Sequence, residues 1–382
     1  MIKRKGLALL LMMGLILSLL SGCSSSTEEA SDSNASQQES TTETSESTEA
    51  SDSDQTGETI ETATTSDGET VNEPVRAQEE KDPALAMHIG LLKGPTGMGA
   101  VMLMNESDNG FVFGNYDFQL YDAPDEVTAK LINGELDVAA VPVNLASTLY
   151  NKTDGGVKIA AINTLGTMFL VENGNTIESM EDLDGKTVML SGQGAVPDYV
   201  FQYLLQESGV TNCTVEYATS HADLANQLAA GEVDLAVMPE PYVSIAMSKN
   251  ADLRIAIDLA EVWDQYSYED STVDNTLPMG CIVVRTAYLD EHEKEFKKFL
   301  DEYDNFIDEA KKDYHAAAEK CAEYGIVADA AVAEKAYPNC HICYIAGQKM
   351  TMMADYFLNV MYDENPQSIG GAVPESDFYY SR

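Results

Sequence analysis

Leu131–Asn144 reads LINGELDVAAVPVN, and Leu228–Pro241 reads LAAGEVDLAVMPEP. Each stretch runs from a leucine to a glycine, then to Glu-aliphatic-Asp, then into an apolar run that ends at a proline. The glycine suits the left-handed position that closes a helix, and the apolar run after it has the pattern of a buried strand. Pro142 and Pro239 lack the donor that would extend a ladder, so each strand gives way to a loop there. A polar residue follows each proline, Asn144 in one copy and Glu240 in the other. Open α/β sheets bind ligands just past the carboxyl ends of their parallel strands, which makes both residues site candidates.

The likeness extends upstream by about the length of one strand-helix-strand unit. HIGLLKGPTGMGAVMLM (His88–Met104) and TVMLSGQGAVPDYVFQYLL (Thr187–Leu205) each take an apolar strand through a glycine-bearing turn into a helix. The chain therefore reads as two βαβαβ halves. A short-period repeat would mean a solenoid, whereas one duplication at this length means two similar lobes. At 382 residues there is chain enough for a sizeable core in each.

The N-terminal part has a different composition. MIKRKGLALLLMMGLILSLLSGC joins a basic start to a short apolar stretch and small residues before Cys23, the layout of a secretory signal over residues 1–22. The apolar stretch is shorter than the roughly 20 residues a membrane span needs. Leu20-Ser21-Gly22-Cys23 resembles the bacterial lipoprotein lipobox, which implies cleavage before Cys23 and acylation of its sulfur and new amino group, palmitate included. More than one acyl chain gives a stable anchor. From Cys23 to residue 82 the chain is Ser, Thr, Glu and Asp with few large apolar residues. Such a segment cannot offset its ordering entropy by burial and is expected to be a disordered tether, with a span of at least roughly 45 Å.

The formal net charge is −42, and roughly 30 negative charges remain beyond the tether. Nucleic acid is thereby an improbable partner, since phosphate binding needs a basic face. Anionic ligands would be repelled at long range and held only by local dipoles. Apart from Cys23 there are Cys213, Cys281, Cys321, Cys340 and Cys343, an odd number that cannot form a complete disulfide framework. Cys340-His-Ile-Cys343 has CxxC spacing, which reads as incidental, a surface disulfide being the leading special reading. No second pair or histidine cluster lies at zinc-ligand spacing. Ser-His-Asp spacing, a P-loop and HExxH are all absent from the sequence, and His88 and His221 have no obvious partner.

IGLLKGPTG, GELDVAAVPVNLA, SMEDLDGKTVMLSGQG and GEVDLAVMPEPYVS, in that order, resemble the substrate-binding lipoproteins of ABC transporters, in the family that binds nitrate, taurine, aliphatic sulfonates and thiamine-pyrimidine precursors. The resemblance runs from about Met87 to the C-terminus. It implies a type 2 periplasmic-binding-protein fold: two doubly wound α/β lobes joined by two crossing strands, here TMFLVEN (Thr167–Asn173) and MGCIVVR (Met279–Arg285), with the ligand cleft between them. Lobe one would comprise 83–171 and 284–382, and lobe two 172–283. The helical patterns after Leu289 and the closing GGAVPESDFYY would cover lobe one. The resemblance also implies an ABC permease and ATPase as partners, a monomer held at the outer face of the membrane through Cys23, and no cofactor, metal or catalysis. A sensor reporting to a signalling partner is the alternative. Two enzyme groups share the fold. The thiamine-pyrimidine synthases carry a CCCGC segment absent here, and a dehydratase of menaquinone synthesis would be on the wrong side of the membrane if the lipobox is used.

The candidate ligand contacts follow from the paired turns and strand ends. Lys93, Gly94, Thr96 and Gly97 form the first turn, and Ser191, Gly192, Gln193 and Gly194 the second. Two facing helix N-termini would hold a carboxylate, sulfonate or nitrate without arginine. Asn144 both donates and accepts. Glu240 either meets a donor on the ligand or pairs within the protein, because a buried unpaired carboxylate is costly. Tyr242 offers an aromatic face with a polar tip. Thr164, Met279 and Gly280 are candidates by position beside the crossings, and Met98, Met102 and Met104 read as core or pocket wall.

Overall fold

The computed structural model describes residues 63–64, 70–71, 85–267 and 276–382. The expected signal, Cys23 and nearly all of the tether lie outside the described residues. In the unit Met1–Val75 the described feature is a two-residue ladder of β1 (Ala63–Thr64) with β2 (Thr70–Val71). Among the described residues no helix is long and apolar enough to cross a membrane.

The unit Arg76–Arg382 holds two sheets. The chain lays down β3 (Met87–Leu92), β4 (Tyr116–Tyr121), β5 (Val138–Pro142) and β6 (Val157–Leu165) in the first. It then enters the second with β7 (Met168–Asn173), β8 (Thr187–Ser191), β9 (Thr214–Ala218), β10 (Leu235–Pro239) and β11 (Leu253–Asp258). It returns to the first sheet with β12 (Pro278–Arg285) and β13 (Ile342–Ile345). The orders are β13-β6-β12-β5-β3-β4 and β11-β7-β10-β8-β9.

These orders carry the duplication that the sequence shows. β4-β3-β5 and β9-β8-β10 are both parallel triplets. Each triplet is flanked by one antiparallel strand, β12 beside β5 and β7 beside β10. Each sheet thus takes that flanking strand from the stretch of chain that arrives from the other sheet. The two α/β lobes are as expected, but the expected limits at 171/172 and 283/284 fall inside β7 and β12, whose pairing keeps each strand whole within one sheet. The first passage is shorter than the crossing strand read from TMFLVEN and consists of Gly166 and Thr167. His341 holds it, with Nδ1 against the Gly166 carbonyl and its own carbonyl accepting from Leu165 N–H at 3.2 Å.

The repeated Gly-Glu-aliphatic-Asp segments do the same work twice. Gly134 (φ 76°) and Gly231 (φ 74°) close helices Pro124–Asn133 and His221–Ala230 in the left-handed conformation, which residues with a Cβ rarely adopt. The aspartates differ: exposed Asp234 meets β7 through its backbone, its carbonyl accepting from Asn173 N–H at 2.8 Å, whereas Asp137 acts through its side chain. Buried Asp137 accepts from His88 N–H at 3.0 Å and from Arg285 Nη2 at 2.7 Å, tying β3 to β12. His88 itself has Asp117 at 2.9 Å, so the partner that the sequence did not reveal lies across the β3–β4 pair.

One face of the first sheet is covered by helices Thr286–Lys312, Tyr314–Tyr324 and Ala330–Ala336, as the helical pattern after Leu289 predicts. The last helix, Gly347–Glu364, departs from that expectation because it packs on both lobes. Its Met350, Met353 and Phe357 share one core with Leu149 and Ile162 of lobe one and with Leu204 and Trp263 of lobe two. Tyr356 stacks edge-on to Trp263 at 5.6 Å, and its hydroxyl lies 2.9 Å from that of Tyr203. In the closing segment Phe378 is buried against Tyr150, and Tyr380 N–H reaches the Ile159 carbonyl at 2.9 Å.

Candidate functional site

The carboxyl ends of the two parallel triplets bring some of the expected residues together and separate others. On lobe one, Thr96, Thr164 and Gly280 converge. A Cβ on Gly280 would lie 2.4 Å from Thr96 Cγ2 and 2.7 Å from Asn163 Oδ1, so only glycine lets β12 pass this close. Asn163 is the residue that sequence reasoning missed. Fully buried, it donates to the Thr96 carbonyl at 3.2 Å and reaches the Tyr303 hydroxyl at 3.1 Å, while its Oδ1 accepts from Thr164 Oγ1 at 3.2 Å. Its signal was an amide inside the apolar strand VKIAAINTL, since a buried amide must find partners. Met279, next to Gly280, is half-buried against the core shared by the lobes.

Lys93 is at the rim, where its Nζ pairs with exposed Asp122 at 2.8 Å. Gly94 (φ 94°) begins a helix of one turn, Pro95–Met98, and its carbonyl takes the N–H groups of both Gly97 and Met98 at 3.0 Å. Asn144 is engaged by the C-terminal segment. Its Nδ2 donates to the Ser368 carbonyl at 3.2 Å, and Ser147 and Asn151 bind the Ile369 carbonyl beside it at 2.9 Å each. Asn144 therefore fixes the C-terminal segment.

On lobe two, Gly192 (φ 87°) and Gly194 (φ 70°) shape the turn after β8, with Gln193 exposed between them. The helix that follows, Val196–Glu207, already has a carboxylate at its N-terminus. Asp198 Oδ2 accepts from Gly194 N–H at 2.9 Å, and its Oδ1 accepts from Tyr217 OH at 2.7 Å. Of the two helix N-termini expected to face an anion, one belongs to a single turn, and the other has a carboxylate of the protein in its first turn, which weakens its pull on a negative ligand.

The ends of β8, β9 and β10 gather Ser191, His221 and Tyr242. Ser191 is fully buried, with its hydroxyl against His221 Nδ1. The His221 ring lies 5.2 Å from that of Tyr242. Burial holds the imidazole below its ordinary pKa, so it is neutral near pH 7 and its tautomer is coupled to the serine hydroxyl. Ser191 and Tyr242 were sequence candidates and His221 was not. Its position, first in a helix behind Ser220, whose Oγ caps Asp223 N–H at 3.1 Å, was the available signal.

Glu240 is 1% exposed. Its carboxylate accepts from Ser244 N–H and Ser244 Oγ, each at 3.0 Å, and from Asn339 Nδ2 at 2.9 Å. Of the two roles left open by the sequence, it thus fills the one within the protein. Burial nevertheless raises its pKa above the usual carboxyl range, against the lowering effect of these donors. Asn339 comes from the turn Tyr337–Cys340 of lobe one, so this hydrogen bond joins the lobes. The neighbouring Cys340 and Cys343 are free thiols and form no surface disulfide. Cys340 Sγ is buried 3.9 Å from Met98 Sδ, and Cys343 Sγ points at the Ile162 carbonyl at 3.7 Å. The turn and β13 aim them at different layers of the core.

A model of the protein family described as Menaquinone biosynthesis matches residues 109–370, well over half of the chain. The protein belongs to this family. The match includes the second turn, both prolines and the Ser191–His221 pair. No curated protein matches the sequence.

Among solved structures, an ABC transporter protein from Parabacteroides distasonis is 24% identical, with TM-score 0.67 over 78% of this chain and 99% of that one. The periplasmic aliphatic sulphonate binding protein SsuA from Escherichia coli is 13% identical, with TM-score 0.60 over 78% and 92%. The alkanesulfonate-binding protein SsuA from Xanthomonas axonopodis pv. citri, bound to MOPS, is 13% identical, with TM-score 0.54 over 76% and 95%. At these identities the likeness is one of fold: the family member has the two-lobed architecture of periplasmic binding proteins. Family and fold do not by themselves separate binding from catalysis.

Proposed function

We propose that this protein is an extracytoplasmic solute-binding lipoprotein, anchored through acylated Cys23, which takes a small polar ligand between its lobes and delivers it to an ABC permease and ATPase. The observation that carries this reading is the arrangement of polar groups at the ends of two matched parallel triplets, with a hydrogen bond from lobe to lobe at Glu240. A ligand that touches both lobes favours the closed form in proportion to its differential affinity for it. The groups presented are hydroxyls, amides and a neutral imidazole, while Asp198 and Glu240 supply negative charge and Lys93 is paired. Such a surface favours a ligand with hydroxyl, carbonyl or N–H groups over a bare inorganic anion. Thr96, Thr164, Ser191, His221 and Tyr242 are its contacts in this reading.

Thermal unfolding of the full chain against nitrate, taurine, alkanesulfonates, aminopyrimidines and amino acids tests this reading. A ligand at a hundred times its dissociation constant stabilises by about 2.7 kcal/mol, a shift of several degrees. Stabilisation by nitrate alone would contradict the ligand class, and stabilisation by none of the panel would exclude the ligands of the sulfonate-binding relatives.

Family membership and the Ser191–His221 pair support a second reading, an enzyme on the same fold. A neutral imidazole hydrogen-bonded to a buried hydroxyl is suited to moving a proton on a bound ligand, as a dehydratase requires. Incubation of the protein with a ligand that stabilises it, followed by mass spectrometry, separates the two readings. Unchanged ligand supports the receptor, and a product lost in His221→Asn supports the enzyme.

A further inference from the structure

His341 has φ 44°, a left-handed conformation uncommon for a residue with a Cβ. Its place is set by the passage between the lobes, where Nδ1 meets the Gly166 carbonyl. A carbonyl oxygen only accepts, so Nδ1 carries the proton and the neutral ring keeps Nε2 as an acceptor. Among the described residues Nε2 has no hydrogen-bond partner.

The same residue lines a cavity of about 180 Å³ built from lobe one. The other walls used here are Ala310 and Lys311 near the end of helix Thr286–Lys312, Tyr314 at the start of the next helix, and Tyr337 and Pro338 of the turn Tyr337–Cys340. The rings of Tyr314 and Tyr337 stack, 5.3 Å apart at 14°. Tyr337 turns its hydroxyl to the Met98 carbonyl at 3.2 Å, whereas that of half-buried Tyr314 has no partner among the described residues. There is room for one aromatic ring, since an apolar cavity of about 150 Å³ takes up benzene. Lys311 has Asp308 at 3.9 Å in a chain of net charge −42, so an anionic substituent would gain little there. Thr96, Thr164, Ser191, His221 and Tyr242 do not line this cavity, which is therefore separate from the ligand contacts of the cleft.

We infer that this cavity is a second binding site, which takes a small aromatic ring bearing a hydroxyl or N–H donor, and that a ring seated there braces one lobe against the other. The tyrosines and Pro338 supply apolar walls, and the His341 acceptor and the Tyr314 hydroxyl supply the polar partners. Tyr337 and Pro338 belong to the turn whose Asn339 donates to Glu240 of lobe two at 2.9 Å, and His341 holds the passage at Gly166. A bound ring thus packs under the segment that makes both contacts and fills the space into which the turn would relax when Glu240 releases it. That difference in contact between joined and parted lobes is what lets a ligand shift the equilibrium between them. The site does not depend on which molecule the cleft takes, nor on whether the cleft binds or catalyses.

The test titrates the full chain with para-fluorophenol, followed by its fluorine resonance, beside para-fluorotoluene, which has nearly the same shape and no donor. The expected result is saturable binding of the phenol, roughly fivefold tighter than the toluene, the ratio of about one net hydrogen bond. Ala310→Leu fills the cavity and Tyr314→Ala removes a wall; each should weaken the phenol roughly tenfold. Both are first checked for a cooperative melt, and Tyr314, half-buried at the start of its helix, decides the matter if the buried Ala310 tolerates no larger side chain. Coupling is reciprocal, so Asn339→Leu, which breaks the contact between lobes, should weaken the phenol by about fivefold. Phenol binding kept in a folded Ala310→Leu or Tyr314→Ala protein puts the ring elsewhere and overturns the site. Equal affinity for the two probes overturns the ligand class, and equal phenol affinity in wild type and Asn339→Leu overturns the bracing of the lobes.

Discussion

Asn339 of lobe one donates to Glu240 of lobe two at 2.9 Å, across 99 residues of sequence. Glu240 also takes two hydrogen bonds from Ser244 within its own lobe, so the carboxylate is fixed before the other lobe arrives. Asn339→Leu should leave it short of one donor in a buried setting. The expected cost is about 1–3 kcal/mol of unfolding free energy, measured by urea titration, together with a larger radius of gyration in solution scattering. An unchanged radius with reduced stability would mean that the contact is packing alone and does not hold the lobes together.

Two buried groups near this contact predict opposite pH effects. Glu240 has a folded pKa raised above the ordinary 4.5. The folded state then binds more protons than the unfolded state just above that value, so stability falls as pH rises through the window. His221 has a folded pKa lowered from the ordinary 6.5. The unfolded state binds more protons there, and stability falls as pH drops below that value. In urea titrations from pH 4 to 8, Glu240→Gln should flatten the first slope and His221→Asn the second. A wild-type slope kept in either variant assigns it to other groups.

The parts that the sequence made legible are those whose cause is local. Gly134 and Gly231 announce a left-handed cap whatever lies beyond, and Pro142 and Pro239 stop a ladder on their own. Ser191 and Tyr242 could be named because a polar residue at the end of a buried strand has few places to go. Asn144 obeys the same rule, but the group that its amide meets was not legible. Its partner, the Ser368 carbonyl, is 224 residues away, and periodicity records which face is buried but not which distant segment covers it. The same holds for the last helix, whose apolar face is evident although its position over both lobes is not. His221 was missed for the converse reason: its partner Ser191 is 30 residues distant, on the neighbouring strand of the same triplet.

Gly280 predicts a sharp steric effect. An added Cβ meets Thr96 Cγ2 at 2.4 Å, Asn163 Oδ1 at 2.7 Å and Thr164 Oγ1 at 3.0 Å, and the two oxygens cannot withdraw without disturbing the hydrogen bond between them. Gly280→Ala should cost about 1–3 kcal/mol and abolish ligand-induced stabilisation, read in the same thermal melts. Gly209→Ala, where nothing lies within 4 Å of the added atom, serves as the control for an open site. Its residual cost reports the positive φ alone. Equal losses in the two variants would show that crowding at Thr96 is not the cause.

Asp198 decides which charge the second turn accepts. With Oδ2 on Gly194 N–H and Oδ1 on the Tyr217 hydroxyl, it puts a negative charge in the first turn of a helix whose N-terminus would otherwise favour an anion. Asp198→Asn keeps the shape and removes the charge. An exposed helix N-terminus is worth about 0.3–1 kcal/mol to a negative group, and the lost repulsion acts in the same direction. Affinity for a sulfonate should therefore rise roughly fivefold or more, measured by calorimetry at low salt, and the gain should shrink as salt is added. A neutral ligand that binds the wild type should be nearly unaffected. If the substitution weakens sulfonate binding instead, the carboxylate is serving the ligand through the geometry it imposes on Gly194, and the turn belongs to the ligand site after all.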